Sequence, residues 1–251
     1  MEIHHHAHTA RKKWTHYFWE FLMLFLAVFC GFLAEYQLEH KIEKNREYQY
    51  MLGCIDDLAL DTSVLDIYIK FTNGNSNGLD SLLDNVYDTD NALRNTQTLY
   101  RQNFSYIRII TTLNFSDHTI TQLRNSGSLR LIRNKAITHA ISEYWSNIDH
   151  LRRLNEIVVQ RANEIFTVGN HIFNSKYWTG VVEDSVTRIR SAIIDPAARM
   201  MTINSNTLIN YANFVFRFNG SLDNFFLPDL KRQRTRAVNL INLIKKEYHL
   251  K

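Results

Sequence analysis

An uninterrupted apolar stretch near the N-terminus constrains the fold of this chain more than any other feature. Between Phe21 and Ala34 no side chain is charged or strongly polar, and further aromatic and aliphatic residues extend the stretch to Tyr17 and Leu38. A helix of about 20 apolar residues crosses the hydrocarbon core of a bilayer, and aromatic rings at its ends favour the head-group level. Residues 17–38 are therefore predicted to form a transmembrane helix.

Two carboxylates flank this predicted span. Glu20 and Glu35 lie about 15 residues apart, or roughly 22 Å along a helix, so both could sit near opposite membrane interfaces. Acidic residues inside a membrane are candidates for a function by default. The prediction is two interfacial carboxylates, and a proton- or ion-handling role for Glu20 is the alternative.

The flanks also decide between a cleaved signal peptide and an anchor. No small-x-small cleavage site follows the apolar core, which favours an uncleaved signal anchor. Arg11, Lys12 and Lys13 cluster before the span, whereas the charges after it are of mixed sign. The positive-inside rule predicts that residues 1–16 form a cytoplasmic tail and that the rest of the chain crosses the membrane.

Composition favours long helices beyond the span. The chain of 251 residues contains only 2 Pro and 8 Gly, which argues against a turn-rich β protein. The net charge of +4 is dispersed, so nucleic acid is not a predicted partner. The predicted fold is all-α, with the transmembrane helix continuous with a long helix that enters an extracytoplasmic bundle.

Apolar spacing and turn residues divide the rest of the chain. Residues 39–72 are predicted to be a helical stalk that enters the bundle and breaks at Asn73–Gly78 (NGNSNG), and residues 73–251 are predicted to be the bundle domain. Further short helices are expected at 79–87 and 91–113, and after Asp117. A second break is expected at Asn125–Ser128.

The longest periodic stretch runs from Ile137 to about Ile172 and predicts one helix. Its inward positions are expected to be Ile137, Ile141, Tyr144, Ile148, Leu151, Asn155, Val158, Ala162 and Ile165. A short helix is predicted at 181–194, another at 208–218 ending near Asn219–Gly220, and a last one at 229–248. No segment alternates with period 2, so essentially no sheet is expected.

Small residues and cysteines bear on self-association. Ala27, Gly31 and Ala34 lie on nearly one helical face, and small residues at this spacing let two membrane helices approach closely. Cys30 and Cys54 lie about 36 Å apart on one continuous helix and cannot bridge within it. A buried free thiol is the prediction for Cys54, and a cross-link between two copies in an oxidising compartment is the alternative.

No constellation of residues predicts an enzyme, a cofactor or a metal site. The chain lacks HExxH, GxGxxG and Walker motifs, and an isolated Ser, Cys or His in a helical bundle is more often structural than catalytic. His4, His5, His6 and His8 in the tail could bind a transition metal, and a solvated native tail is the default reading.

Two further groups could contact a ligand or a partner. Arg130 and Arg133, expected in the first turns of a helix after Gly127, could bind an anion or an acidic partner, or else pair with acids of neighbouring helices. A set of aromatic residues near the C-terminus could form a partner surface or belong to the core. This set comprises Phe214, Phe216, Phe218, Phe225 and Phe226.

Two motifs together resemble a known family. The stretch HYFWEFLMLFLAVFCGFLAEYQLEHKIEKNREYQYM at 16–51 and the stretch QLRNSGSLRLIRNKAI at 122–137 are similar to uncharacterised single-pass membrane proteins common in Bacteroidota. The resemblance covers about the first 70 residues and the 120–145 region. It implies a bacterial inner-membrane protein with a periplasmic helical domain, and it implies no activity.

These features lead to two functional hypotheses. The first is a membrane-anchored, non-enzymatic scaffold or interaction protein of the periplasm, whose partners are the bilayer, a second copy and other membrane-complex proteins. The second is a periplasmic sensor or an accessory subunit of a transport or channel complex. A sensor would need a cytoplasmic partner, because the short tail cannot hold a signalling domain.

Overall fold

The computed structural model of this chain describes residues 14–88, 95–110, 112–183 and 190–250. Helices dominate, which confirms the predicted all-α class. The helices are α1 (Trp14–Tyr87), α2 (Thr96–Tyr106), α3 (His118–Asn125), α4 (Lys135–Gly169), α5 (Ser205–Ser221) and α6 (Leu227–Glu247). Short 3₁₀ turns occupy Ser128–Leu131 and Ser175–Tyr177, and a π-helix occupies Leu222–Phe226. Strands β1 (Trp178–Glu183) and β2 (Arg190–Ile194) form an antiparallel pair.

The chain divides into two compact units, residues 1–50 and 51–251, and helix α1 contributes residues to both. The first unit consists, in its described part, of the first half of α1. Phe21, Phe25 and Phe29 stack along this segment with ring centroids 6.2 and 5.8 Å apart. Among the described helices, α1 alone is long and apolar enough to cross a membrane, and none of the residues in its apolar window is buried.

In the second unit, buried side chains of α1 recur at heptad spacing. The residues at this spacing are Met51, Cys54, Leu58, Asp61, Leu65, Thr72, Asn75, Leu79, Leu82 and Val86, and Asp57, Ser76 and Leu83 are buried beside them. Spacings of three, four or seven residues keep these side chains on one face of an α-helix. The buried face therefore continues without interruption through the stretch that was predicted to break the helix.

The predicted break at Asn73–Gly78 is wrong, and so is the separate helix predicted at 79–87. Asn75 donates from Nδ2 to the backbone carbonyl of Arg108 at 3.0 Å. Ser76 donates from Oγ to Asn219 Oδ1 at 2.6 Å, within the interior. These residue types favour turns when they lie at the surface, but here tertiary hydrogen bonds hold the same side chains inside a continuous helix.

Gly78 has a steric role in this stretch. A Cβ atom at this position would lie 2.2 Å from Cδ1 of the Tyr106 ring. The absence of a side chain therefore lets Tyr106, at the end of α2, pack directly against the backbone of α1. By contrast, nothing lies within 4 Å of a Cβ atom at Gly74.

Helix α4 matches the sequence pattern most closely. All nine predicted inward positions are buried, and Gly169 is buried as well. Asn134 caps the N-terminus by accepting a hydrogen bond from the backbone N–H of Ala136 at 2.9 Å. Such a cap satisfies one of the helix's free N–H groups. The helix ends at Gly169 rather than at Ile172, because the next residues form a turn.

The helix predicted at 181–194 is wrong, because β1 and β2 form a hairpin there. β-branched and aromatic residues such as Trp178, Val181 and Val182 favour strands. Ala192 and Ile194 of β2 are buried against the core. The register contains a bulge between Trp178 and Gly180. The residues that join the two strands, and the expectation of a helix across them, lie outside the described part of the chain.

A further correction concerns the predicted end of a helix near Asn219–Gly220. Helix α5 continues to Ser221, the π-helix Leu222–Phe226 follows directly, and α6 begins at Leu227. Pro228 lies in the first turn of α6, directly after the π-helix. Asn219 is buried and donates to Asp80 Oδ1 at 2.7 Å, so this Asn-Gly pair is part of the interior rather than a surface turn.

Candidate functional site

Two carboxylates one helical turn apart on α1 form the principal buried polar cluster. Asp61 accepts a hydrogen bond from the backbone N–H of Ser116 at 2.7 Å and another from the Tyr144 hydroxyl at 2.8 Å. Asp57 accepts from the backbone N–H of Thr119 at 2.9 Å. The two side chains thus hold the segment before α3, the start of α3 and helix α4 against α1.

Burial changes the ionisation of this cluster. It raises the pKa of Asp61 to about 6, against the lowering effect of the hydrogen bonds from Ser116 and Tyr144 and with smaller contributions from the charges of Asp57 and Asp117. Burial, together with the Asp61 charge, also raises the pKa of the Tyr144 hydroxyl. A carboxyl group removed from water favours its neutral form, so Asp61 can change charge near neutral pH.

Gln233 of α6 completes the cluster. Its Nε2 donates to the backbone carbonyl of Tyr144 at 3.0 Å, and its side chain is fully buried. Its Oε1 has no hydrogen-bond partner among the described residues. The hydrogen bond that Nε2 donates to α4 holds the Gln233 side chain in place, although the unpaired Oε1 costs free energy.

Cys54 lies one turn before these carboxylates. The residue is buried and its thiol is free, as predicted. Burial raises the pKa of this thiol to about 12, with a smaller contribution from the charge of Asp57. Thiolate is the reactive form, so Cys54 is poorly placed to cross-link two folded copies.

A second candidate site is an apolar pocket between α4 and the π-helix. Its volume is about 210 Å³. It is lined by Leu154, Ile157, Val158, Arg161, Ser221, Phe225 and Phe226. Val158 and Phe226 are buried at its base, whereas Ile157 and Phe225 are exposed. This pocket is named the α4–π pocket below.

Arg161 supplies the positive charge of the α4–π pocket. Its Nη1 donates to the backbone carbonyl of Arg217 at 3.1 Å and to the hydroxyl of Ser221. That hydroxyl also donates to the Arg217 carbonyl at 2.8 Å. The guanidinium group is thus oriented by two neutral oxygen atoms at one side of an otherwise apolar pocket.

The predicted site residues other than Cys54 are exposed where the structure describes them. Arg130 lies in the 3₁₀ turn Ser128–Leu131 and Arg133 lies just before α4, both exposed. The helix expected to start after Gly127 is therefore only this short turn. Glu20 lies 3.7 Å from Nε2 of His16. Ala27, Gly31 and Ala34 are exposed in the apolar segment. The histidines of the tail lie outside the described residues.

The predicted aromatic set is divided by the structure. Phe218 and Phe226 are buried in the core, as one reading predicted, whereas Phe216 and Phe225 are exposed. Phe214 lies under the guanidinium group of Arg217, 4.4 Å from its ring centroid. The structure thus divides the five rings between the core and the surface, and Phe225 and Phe226 line the α4–π pocket.

The sequence contained a usable signal for Asp61 but not for Arg161. Asp61 interrupts the apolar series Met51, Cys54, Leu58 and Leu65, and a carboxylate at such a position is predicted to be buried. Arg161, by contrast, has the spacing of an ordinary surface residue. Within residues 14–88, 95–110, 112–183 and 190–250, no group of three His, Cys, Asp or Glu side chains could hold a metal ion.

Comparisons with protein-family models, with curated proteins and with solved structures gave no match to this chain. A function is therefore inferred from the contacts within the chain itself.

Proposed function

We propose that this protein is a membrane-anchored, non-enzymatic scaffold or interaction protein of the bacterial inner membrane. The observation that carries the proposal is the exposure of the apolar segment of α1. Leu24 and Val28 are each 69% exposed there, although the second unit has its own well-packed core. A contiguous apolar surface of this extent marks a membrane or protein contact, and its length matches a bilayer.

In this proposal the basic tail stays in the cytoplasm and the helical bundle lies in the periplasm. Arg11, Lys12 and Lys13 support this orientation through the positive-inside rule. The described interior polar groups support a scaffold rather than a catalyst, because Asp57, Asp61 and their partners bond mainly to backbone groups of neighbouring elements. Such bonds fix the arrangement of helices.

Thiol labelling tests the orientation. In spheroplasts, Ser142→Cys, on an exposed position of α4, is expected to react with a membrane-impermeant maleimide without lysis. Thr9→Cys, in the tail, is expected to react only after the membrane is disrupted. The native chain is the background control, because Cys54 is buried and Cys30 lies in the apolar segment. The reverse pattern of labelling would overturn the proposed topology.

Self-association is the second part of the proposal, and the hairpin supplies an independent contact for it. The backbone N–H of Ala192 donates to Ser105 Oγ at 3.0 Å, so it points away from β1. Val181 pairs with Ala192, and by the alternation of antiparallel ladders its own N–H and C=O then point outward. Among the described residues no further strand pairs with the outer edge of β1, while β2 packs against α2.

The chemistry of β1 fits a second copy of itself. Residues 178–182 carry no charge or proline, whereas proteins normally protect open edges with such residues. Val181 and Val182 are 47% and 56% exposed. Two β1 strands paired antiparallel about Val181 would exchange both backbone hydrogen bonds and place one valine opposite the other, a favourable cross-strand pair. The small face at Ala27, Gly31 and Ala34 supports close approach within the bilayer.

Energy transfer between labelled copies in lipid vesicles tests this self-association. Val181→Pro removes the outward N–H and is expected to weaken association by roughly tenfold or more, equivalent to about 1.4 kcal/mol. Gly31→Leu should weaken it separately if the membrane face contributes. Val181→Thr keeps the N–H and is the matched control. Transfer that is unaffected by either variant, or absent from the native chain, contradicts self-association through these surfaces.

A further inference from the structure

The α4–π pocket combines an apolar interior with an arginine, Arg161, that has no acidic partner among the described residues. Within the described part of the chain, no carboxylate lies at ion-pair distance from Arg161. Its guanidinium group carries five N–H donors, and the contacts to Arg217 and Ser221 use Nη1. Donors on Nε and Nη2 therefore remain for an anion at the pocket.

The shape of the site comes from the π-helix. Residues 222–226 carry the wider i→i+5 turn, and such turns occur frequently at functional sites. Within this segment Phe226 is 2% exposed and forms the base of the pocket, whereas the adjacent Phe225 is 59% exposed at its opening. Ile157 and Leu154 of α4 form the opposite wall. The walls are thus apolar on both sides.

The volume limits what can enter. An apolar cavity of about 150 Å³ holds a benzene molecule, so a pocket of about 210 Å³ accepts a short alkyl chain or a single substituted ring. It is too small for a two-chain lipid. The charge of Arg161 selects for a negatively charged head group, because guanidinium binds carboxylate and phosphate through paired hydrogen bonds.

We propose that the α4–π pocket binds a small single-chain anionic amphiphile, whose head group lies on Arg161 and whose apolar part lies between Ile157 and Phe225. This inference adds a ligand to the scaffold function and does not depend on the membrane topology or on self-association. Arg161 is the binding residue for the head group, and Ser221 orients it.

Titration calorimetry with octanoate tests the proposal, using the full chain in lipid nanodiscs and empty nanodiscs as the blank. The native protein is expected to give saturable binding. Arg161→Gln is expected to weaken it by roughly tenfold or more, the effect of losing a charge-assisted hydrogen bond. Arg161→Lys should retain part of the affinity. Arg153→Gln makes the same change at an exposed position on α4 outside the pocket and should leave binding unchanged.

Further ligands separate the contributions of head and chain. Octyl phosphate should also bind if the site recognises anions in general, and a preference for one of the two identifies the head group. Octanol should bind at least tenfold more weakly, and Phe225→Ala should weaken every ligand. The proposal is overturned if octanoate gives no saturable heat above the blank. It is also overturned if Arg161→Gln and Arg153→Gln bind octanoate equally, or if octanol binds as tightly as octanoate.

Discussion

Replacing Gly78 by alanine is expected to lower the free energy of unfolding of the bundle by about 2 kcal/mol, whereas the same change at Gly74, one turn earlier on α1, should raise it. A Cβ atom at position 78 would lie 2.2 to 2.4 Å from three ring atoms of Tyr106, including Cγ. Those atoms are close to the backbone of α2, so the ring cannot move away by a simple rotation of its tip.

Gly74 is the matched control for this prediction. No atom lies within 4 Å of a Cβ at this position. Alanine there should therefore gain about 0.5–1 kcal/mol of stability, the usual difference between glycine and alanine in a helix. The opposite signs separate steric contact from helix propensity, because both substitutions add the same methyl group to the same helix.

Denaturant unfolding followed by circular dichroism measures both variants in one detergent. In a Tyr106→Ala background the Gly78 substitution should become neutral or stabilising, so the two changes should not be additive. Equal effects of Gly78→Ala in the two backgrounds would contradict the contact. Stabilisation by Gly78→Ala in the native background would also contradict the steric contact with Tyr106, because helix propensity alone would then decide the effect.

Gly78 also lies in a stretch whose helical structure could not be predicted from local sequence preferences. Asn, Ser and Gly in NGNSNG are turn residues by local preference, and the helix was predicted to end there. The buried residues from Met51 to Val86 keep heptad spacing through the same stretch. Thr72 and Asn75 are polar, however, so the spacing of apolar residues alone does not predict that the helix continues. Only tertiary partners such as Arg108 and Asn219 show why these polar side chains are inside.

The elements predicted correctly share strong apolar periodicity. Helix α4 has nine inward positions at spacings of three or four, and all are buried. The hairpin was missed for the opposite reason, since Val181, Val182 and Ile193 fit a helical spacing as well as a strand, and short apolar runs do not distinguish the two. Strand pairing depends on partners that local spacing does not reveal.

The candidate sites were even less predictable. Asp61 was identifiable as a carboxylate on an apolar face, but its partners Ser116 and Tyr144 lie 55 and 83 residues away along the chain. The α4–π pocket depends on a π-helix, and no pattern in the sequence predicts one. Arg130 and Arg133, which were predicted to contact an anion or an acidic partner, are exposed in the described chain, outside the α4–π pocket.

The stability of the bundle is expected to fall by up to about 3 kcal/mol as the pH rises from 4 to 7, because Asp61 ionises in a buried position. Its pKa rises from 3.8 in the unfolded chain to about 6 in the fold, and each pKa unit corresponds to about 1.4 kcal/mol. The folded state therefore binds more protons than the unfolded state between these values, so stability declines with pH in that interval.

The sign of this effect distinguishes Asp61 from a typical paired carboxylate. A carboxylate stabilised by a cation would contribute stability at neutral pH and lose it in acid. Asp61 does the reverse: its contribution is complete below pH 3.8 and is lost as the pH rises through about 6. The hydrogen bonds from Ser116 and Tyr144 oppose the loss of hydration without fully compensating for it. Neutral Asp61 thus fits the interior better than the charged form.

Urea unfolding between pH 4 and pH 8 tests this in the native chain and in Asp61→Asn. Asparagine keeps the shape and the acceptor for the Ser116 N–H but cannot ionise, so its stability should lack the decline and should equal or exceed that of the native chain at pH 8. Asp66→Asn is the matched control on α1, because Asp66 is exposed and pairs with Arg234. Such surface pairs contribute less than about 1 kcal/mol, so the decline should persist. A decline retained by Asp61→Asn would assign it to another group.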